Sequence, residues 1–264
     1  MTNSPDRNGL SGAIKAPNLA SDDLTELARA RSEAINLVQW LARVACSYVT
    51  SGVPERRVDL EFRAADAAFV TRQFADGVAL EMRLPDLHLQ FLHNGKAMPH
   101  VFDPQERSPA EAEAWILVEL LHRGIDRGKF SKKLPYTIPG LLTGDAEDYA
   151  PQACRNGLIQ LTDWFGKAAA VLEAAARACS LDKAEVICLP QTLDLVLAPP
   201  SAASSIPLGF SPGDTENPEP YFYTNGAANP ASPKPPRAIV SGSKLLAQSD
   251  VARAVATLLK MAAA

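Results

Sequence analysis

Four short segments in which apolar and polar residues alternate are the feature that most constrains the fold of this chain. They cover residues 58–63, 68–74, 78–83 and 87–92, with Asp76-Gly77 and Asn94-Gly95 as turn dipeptides. Alternation places the apolar side chains on one face of a strand, and Asn-Gly favours a tight hairpin. These residues therefore predict antiparallel hairpins with one face toward a core and one toward water.

Amphipathic helical patterns flank the predicted hairpins. Apolar residues recur at helical spacing after Ser21, a predicted N-cap, as far as Ser51-Gly52-Val53-Pro54. Ser108-Pro109-Ala110-Glu111 forms a capping box that predicts a second helix ending near Gly128. A third helix is predicted from Pro151, and a last helix after a cap at Ser249. The predicted buried stripe of the second helix is Ala114, Leu117, Val118, Leu121 and Ile125.

Strands are also predicted at residues 186–197, 206–210, 221–223 and 239–240, so the order helix, strands, helix occurs twice. We expect an α+β fold with antiparallel sheet segments flanked by amphipathic helices. Two segments interpreted as strands are similar and raise the hypothesis of a degenerate two-fold repeat; they are Leu84-Pro85-Asp86-Leu87-His88-Leu89 and Leu189-Pro190-Gln191-Thr192-Leu193-Asp194-Leu195. Residues 1–20 are predicted to be a disordered tail and residues 21–264 one domain, with sub-halves 21–130 and 151–264 joined by a long loop that is the expected hinge.

Charge and cysteine usage narrow the functional class. The net charge of −4 is the wrong sign for neutralising phosphates, so no nucleic-acid partner is expected. Neither a signal peptide nor a membrane span is apparent, which predicts a soluble, cytoplasmic protein. Cys46, Cys154, Cys179 and Cys188 form no C-x-x-C pair and are expected to be reduced thiols.

No metal site is expected from the four histidines, His88, His93, His100 and His122, because they lack ligand spacing of the H-x-x-x-H kind. A small cluster of His93, His100 and Asp103 is the one arrangement that the sequence suggests. We interpret His88 as the water-facing residue of a strand.

The densest group of functional candidates follows the strand at residues 206–210. Pro212-Gly213 suits a type II turn, and the stiff loop after it holds Asp214, Glu216 and Glu219 close together. Asp194 interrupts a neighbouring apolar strand, and Tyr221 and Tyr223 share one face of the next strand. Carboxylates that converge in a cleft can share a proton or hold a cation. The ligand-binding candidates are therefore Asp194, Asp214, Glu219, Tyr221 and Tyr223.

Each of these candidates also has a structural interpretation. Asp194 can simply face water, Asp214 can accept hydrogen bonds from its own turn, and Glu219 can accept from backbone donors in its loop. The leading hypothesis is a protein that binds a small molecule or cation in a cleft of carboxylates and tyrosines. The alternatives are an enzyme with Asp194 or Glu219 as general base, and an interaction module that uses the stiff loop and residues 227–236. No catalytic signature is present, so cofactor, reaction and oligomeric state stay open.

The second half of the chain resembles an uncharacterised bacterial family of unknown function. The matching parts are residues 134–139, Leu193-Asp194, and the signature SPGD-x3-PEPYxY at residues 211–223. Relatives carry Trp-Pro-His-His-Phe-Asp where this chain has residues 189–194, and Trp-Pro where it has Asn225-Gly226. The resemblance implies a shared fold and a candidate cleft, and the two departures argue against a histidine-dependent activity there.

Overall fold

The computed structural model describes residues 21–50, 56–181, 184–198, 208–224, 238–247 and 251–263. The helices are α1 (Ser21–Tyr48), α2 (Pro109–His122), α3 (Arg155–Ala178), α4 (Gly242–Leu246) and α5 (Val251–Ala263). The strands of the first half are β1 (Leu60–Arg63), β2 (Ala68–Val70), β3 (Val78–Arg83), β4 (Leu89–His93) and β5 (Lys96–Ala97). Those of the second half are β6 (Glu185–Leu189), β7 (Asp194–Ala198), β8 (Leu208–Ser211), β9 (Tyr221–Thr224) and β10 (Ala238–Ser241). The predicted tail, the cap at Ser249 and residues 227–236 lie outside the described residues.

All ten strands form one antiparallel sheet in the order β10-β9-β8-β7-β6-β1-β2-β3-β4-β5. The predicted α+β class is therefore confirmed. β1 pairs with β6 at the centre, where Leu60 lies opposite Cys188, and each half of the chain extends outward from this pair. Within both halves a long helix precedes five strands and a helix follows them. This mirrored order is what a degenerate two-fold repeat would produce.

The two similar Leu-Pro segments, however, do not occupy equivalent places in the two halves. Leu84-Pro85 begins the loop between β3 and β4, whereas Leu189 is the last residue of β6 and Pro190 begins the loop between β6 and β7. Each loop contains a buried leucine with positive φ, 57° at Leu87 and 61° at Leu193. Their likeness reflects a shared loop conformation and adds nothing to the argument for a repeat.

The core lies between the sheet and the helices. Phe165 of α3 contacts Phe62, Phe69 and Phe210, with ring centroids 5.5, 5.2 and 5.6 Å away. These three phenylalanines come from β1, β2 and β8, which belong to different halves of the sheet, so α3 spans the junction of the two halves. Alternate strand residues, including the exposed Glu61 and Ile239, point to the opposite face. No helix among the described residues is long and apolar enough to cross a membrane.

Two predictions for α2 are wrong. The helix ends at His122, before Gly124 with φ of 66°, and does not continue to Gly128. Its buried stripe is also different: Ala112, Ile116 and Leu120 are fully buried, whereas Val118 and Leu121 are 46% and 54% exposed. The helix carries apolar residues on both sides, and the side that faces the core includes Glu119, whose carboxylate is buried through its ion pair with Arg123.

The long connection between α2 and α3 follows α1 along residues 130–150. It forms four hydrogen bonds with polar side chains of that helix. These bonds are Ser131 N to Ser47 Oγ (2.9 Å), Tyr136 Oη to Gln39 Oε1 (2.9 Å), Leu142 N to Asn36 Oδ1 (2.8 Å) and Ala150 N to Glu33 Oε2 (3.4 Å). Trp40 of α1 also donates to the buried hydroxyl of Tyr149 at 2.9 Å. The connection thus provides partners for polar groups of α1 along the helix.

Candidate functional site

The loop after β8 is held by Asp214. Its Oδ1 accepts from the backbone N–H groups of Glu216 and Asn217 at 2.7 and 2.6 Å. Gly213 has a φ of 98°, as the Pro-Gly turn predicted, and a Cβ at that position would lie 2.5 Å from the carbonyl oxygen of Pro218. Asp214 therefore has the turn-stabilising role that was its structural interpretation, while its second oxygen is used elsewhere.

Two tyrosine–aspartate pairs lie side by side on the sheet. Tyr223 donates to Asp194 Oδ2 at 2.8 Å, and Tyr221 donates to Asp214 Oδ2 at 2.6 Å. The two rings are 6.0 Å apart on one face of β9, which confirms their predicted orientation. Both tyrosines are buried. We call these four residues the tyrosine–aspartate cluster.

The two carboxyl groups of this cluster differ in acidity. Burial raises the pKa of Asp194 to about 6, although hydrogen bonds from Tyr223, Ser211 and Thr192 oppose the rise. Burial alone would also raise the pKa of Asp214, but the bonds from Tyr221 and from two backbone N–H groups outweigh it and leave the pKa below its ordinary value. Asp194 is thus the one carboxyl of the pair that takes up a proton close to neutral pH.

Glu219 has a different set of partners. Its Oε1 accepts from Ser241 Oγ at 2.7 Å, from Ser243 N at 3.2 Å and from Ser243 Oγ. These bonds outweigh the effect of burial and lower the pKa of Glu219. Glu219 thereby links the end of the loop to the start of α4. Of the five predicted candidates, four form the tyrosine–aspartate cluster, and all five have hydrogen-bond partners within the protein.

A second group of functional side chains lies at the other end of the sheet. His100, Glu119 and His122 each offer one ligand atom, and these three atoms lie within 4.8 Å of one another. Glu119 Oε1 is 3.1 Å from His100 Nδ1 and 3.5 Å from His122 Nδ1. The side chain of Glu119 is only 3% exposed, whereas the two histidines are 65% and 55% exposed. We call this group the His–Glu–His site.

Arg123 fixes the position of the Glu119 carboxylate. Arg123 donates to Glu119 Oε2 at 2.7 Å and to the backbone oxygen of the same residue at 2.6 Å. Because Arg123 takes Oε2, the other oxygen is directed to the two imidazoles. His100 has a φ of 71°, a conformation that costs a non-glycine residue free energy and often accompanies a functional constraint.

The structure does not bring together His93, His100 and Asp103, the cluster that the sequence suggested. Asp103 Oδ1 lies 3.5 Å from His88 Nε2, and His93 lies beside Asn94. One local signal for the observed site does exist, since Glu119 and His122 are three residues apart and such residues share one side of a helix. No sequence pattern around His100 indicates that it is the third residue of the site.

A cavity of about 730 Å³ opens next to the His–Glu–His site. His122 and Arg123 line it together with His93, Met98 and Ile125. The cavity mixes apolar, cationic and carboxylate side chains and is large enough for a small organic molecule. No protein-family model, curated protein or solved structure matches the chain.

Proposed function

We propose that the protein binds a divalent transition-metal ion, with zinc as the best fit, through His100, Glu119 and His122. The observation that carries the proposal is the convergence of two imidazole nitrogens and one carboxylate oxygen within 4.8 Å. The proposal keeps the cation-binding hypothesis drawn from the sequence but moves the site away from the tyrosine–aspartate cluster. It departs from the expectation that the histidines bind no metal.

The ligand set and its spacing suit zinc. Imidazole nitrogen and carboxylate oxygen are common zinc ligands at bond lengths that separate neighbouring ligands of a tetrahedral ion by about 3.3 Å. The two separations from Glu119 Oε1, 3.1 and 3.5 Å, lie on either side of this value, and the two imidazole nitrogens lie within 4.8 Å of each other. Three protein ligands leave the fourth position of the ion for water or another ligand, an arrangement typical of catalytic rather than purely structural zinc sites.

Arg123 has two opposing effects on such an ion. Its positive charge weakens the attraction of Glu119 for a cation, whereas its hydrogen bond to Oε2 holds Oε1 in place. Protons also compete with the metal for the imidazole nitrogens, so binding should release protons and weaken as the pH falls. We therefore expect a site of moderate affinity with a marked pH dependence.

Calorimetric titration with Zn²⁺ tests the proposal. His122→Gln should lower the affinity at least ~10-fold. The matched control is His88→Gln. His88 also lies near two carboxylates, those of Asp86 and Asp103, but it does not belong to the His–Glu–His site. Equal affinity in the two variants, or no saturable binding by the wild type, would contradict the proposal. Co²⁺ adds a separate readout through the visible spectrum of a tetrahedral ion.

The other functional hypotheses remain predictions. A small molecule that binds at the tyrosine–aspartate cluster should raise the melting temperature of the wild type but not that of Tyr223→Phe, which lacks one hydroxyl group of the cluster. A general-base role for Asp194 would use the raised pKa of its carboxyl. We also propose a cytoplasmic location, supported by the four cysteines, all of which are free thiols.

A further inference from the structure

A buried arginine on α1 has no acidic partner. Arg43 is 6% exposed, and it is the one cation among the buried polar and charged residues of the described chain. Its Nε is buried with no acceptor, and the described residues provide no hydrogen bond or ion pair to any nitrogen of its side chain. By contrast, Arg123, whose side chain is 10% exposed, has the Glu119 carboxylate at 2.7 Å. Because burying an uncompensated charge is costly, the lack of a counter-ion at Arg43 calls for an explanation.

Trp40 contacts the guanidinium group of Arg43 but does not satisfy its hydrogen bonds. Arg43 Cζ lies 4.2 Å from the centroid of the Trp40 ring. This cation–π contact offsets part of the cost of removing the charge from water. An indole group is a hydrogen-bond donor only, so it offers no nitrogen or oxygen acceptor to the guanidinium N–H groups. These donors are therefore still available to an acceptor from outside the chain.

A second donor without an acceptor lies beside Arg43. Tyr149 is 1% exposed, and its hydroxyl oxygen accepts from Trp40 Nε1 at 2.9 Å. Burial raises the pKa of Tyr149 to about 12, so the hydroxyl keeps its proton at neutral pH. No acceptor for that proton is present among the described residues. Because Arg43 and Tyr149 contact the same indole group, their unused donors lie close together.

The charges around Arg43 leave an excess of one positive charge. The ionisable groups that act on its guanidinium group are Tyr149, Glu113 and Tyr136. Burial raises the pKa of both tyrosines, which are therefore neutral at neutral pH. Glu113 Oε2 lies 3.0 Å from Lys132 Nζ, so this carboxylate already has a cation of its own. An anion beside Arg43 would balance the remaining charge.

We propose that Arg43 and Tyr149 bind a small oxyanion, a phosphate or a carboxylate group, between α1 and the connection at residues 130–150. The guanidinium group offers such an anion its positive charge and parallel N–H donors, and the Tyr149 hydroxyl donates to another of its oxygens. Arg43 keeps 6% of its surface in contact with solvent, which gives access to a small group but not to a bulky one. The site is separate from the His–Glu–His site and does not depend on bound metal.

Calorimetric titrations with inorganic phosphate and with acetate test the proposal in the presence of EDTA, which keeps the His–Glu–His site free of metal. We expect saturable binding of at least one of the two anions, with a Kd on the order of 1 mM for a ligand of so few atoms. The anion that binds more tightly shows whether the site suits a tetrahedral or a planar group. Arg43→Met should raise the Kd at least ~10-fold, and Tyr149→Phe should raise it about 3-fold.

Urea unfolding midpoints give a second readout. The bound anion at about ten times its Kd should raise the wild-type midpoint relative to potassium chloride of equal ionic strength, whereas Arg43→Met should gain less. Arg253→Met is the matched control for general salt effects, because Arg253 is exposed on α5, and it should gain as much as the wild type.

Three results would overturn the proposal. They are no saturable binding of either anion, an unchanged Kd in Arg43→Met, and equal gains in midpoint for Arg43→Met and Arg253→Met. If Arg43→Met does not fold, Tyr149→Phe decides, because this variant keeps the aromatic ring and removes only the hydroxyl group. An unchanged Kd in Tyr149→Phe would then overturn the proposed site.

Discussion

The hydroxyl of Tyr223 donates a 2.8 Å hydrogen bond to Asp194 across the strand that lies between them. Tyr223 is on β9 and Asp194 on β7, so the tyrosine ring must pass over β8. The residue of β8 directly opposite Tyr223 is Gly209, which has no side chain to obstruct the ring. One side-chain contact thereby links β9 to β7 across β8, at a position where glycine leaves space for the tyrosine ring.

This relationship predicts that Gly209→Ala destabilises the protein by about 1–3 kcal/mol, the usual cost of overpacking. A Cβ at Gly209 would lie 2.3 Å from Tyr223 Cζ, so the ring must move and its bond to Asp194 must lengthen. Urea unfolding midpoints provide the measurement. Gly166→Ala is the control, because the added methyl group there meets nothing within 4 Å and alanine favours the helix by about 1 kcal/mol. Similar midpoints for the two variants would argue against the steric account.

Asp194 should also make stability depend on pH. Its pKa is about 6 in the folded protein against an ordinary value of 3.8, so between these values the folded state holds a proton that the unfolded state has lost. Stability therefore falls as the pH rises through this window, by about 3 kcal/mol at most, and the loss is complete above the folded pKa. Asp194→Asn should flatten this part of the stability curve. An unchanged slope between pH 4 and 6 in the variant would show that another group titrates there.

Features set by neighbouring residues could be predicted from the sequence. Asn94-Gly95 forms the expected tight turn, with φ of 51° and 76° at the two residues. The capping box predicted at Ser108 is present, because Ser108 accepts from Glu111 N and the Glu111 carboxylate accepts from Ser108 N. Both depend on a few consecutive residues, whose conformations the rest of the fold hardly alters.

Contacts between residues that are distant in the sequence could not be predicted from local patterns. α2 has two apolar stripes, and the buried side also carries Glu119, whose carboxylate contacts Arg123 one turn further along the helix and the distant His100. His100 contacts Glu119 and has a backbone φ of 71°, a conformation for which a non-glycine residue gives no local signal. Asp194 and Tyr223 were both recognised as candidates, but their pairing depends on strand register across β8. Sequence patterns identified the residues of this pair, and tertiary structure determined their contacts.

Gly213 should be more sensitive to substitution than another glycine with positive φ. Both Gly213 and Gly95 have φ in the left-handed region, 98° and 76°, so alanine at either position costs about 1 kcal/mol through backbone strain. Only at Gly213 does the added Cβ also meet backbone, 2.5 Å from Pro218 O. We expect Gly213→Ala to lower the unfolding free energy by a further ~1–2 kcal/mol relative to Gly95→Ala. Equal losses in a denaturant titration would mean that the loop moves aside without cost.

Glu219→Gln should destabilise the free protein by about 1 kcal/mol, because a neutral amide offers a weaker acceptor to Ser241 and Ser243 than the carboxylate does. The loss should depend on pH. The pKa of Glu219 is lowered in the folded state, so its contribution is present above the ordinary pKa of 4.5 and disappears as the pH falls through the folded value. Wild type and variant should therefore differ at pH 7 and converge in acid.

Glu216→Gln is the matched control for this variant, because Glu216 lies in the same loop and its side chain is exposed. The control should keep the wild-type midpoint at both pH values. The hypothesis that Asp194, Asp214 and Glu219 repel one another in a cleft makes the opposite prediction, since loss of one charge would then be neutral or stabilising. A stabilised Glu219→Gln at pH 7, with Glu216→Gln unchanged, would favour that hypothesis over the hydrogen-bonding role that the contacts of Glu219 with Ser241 and Ser243 support.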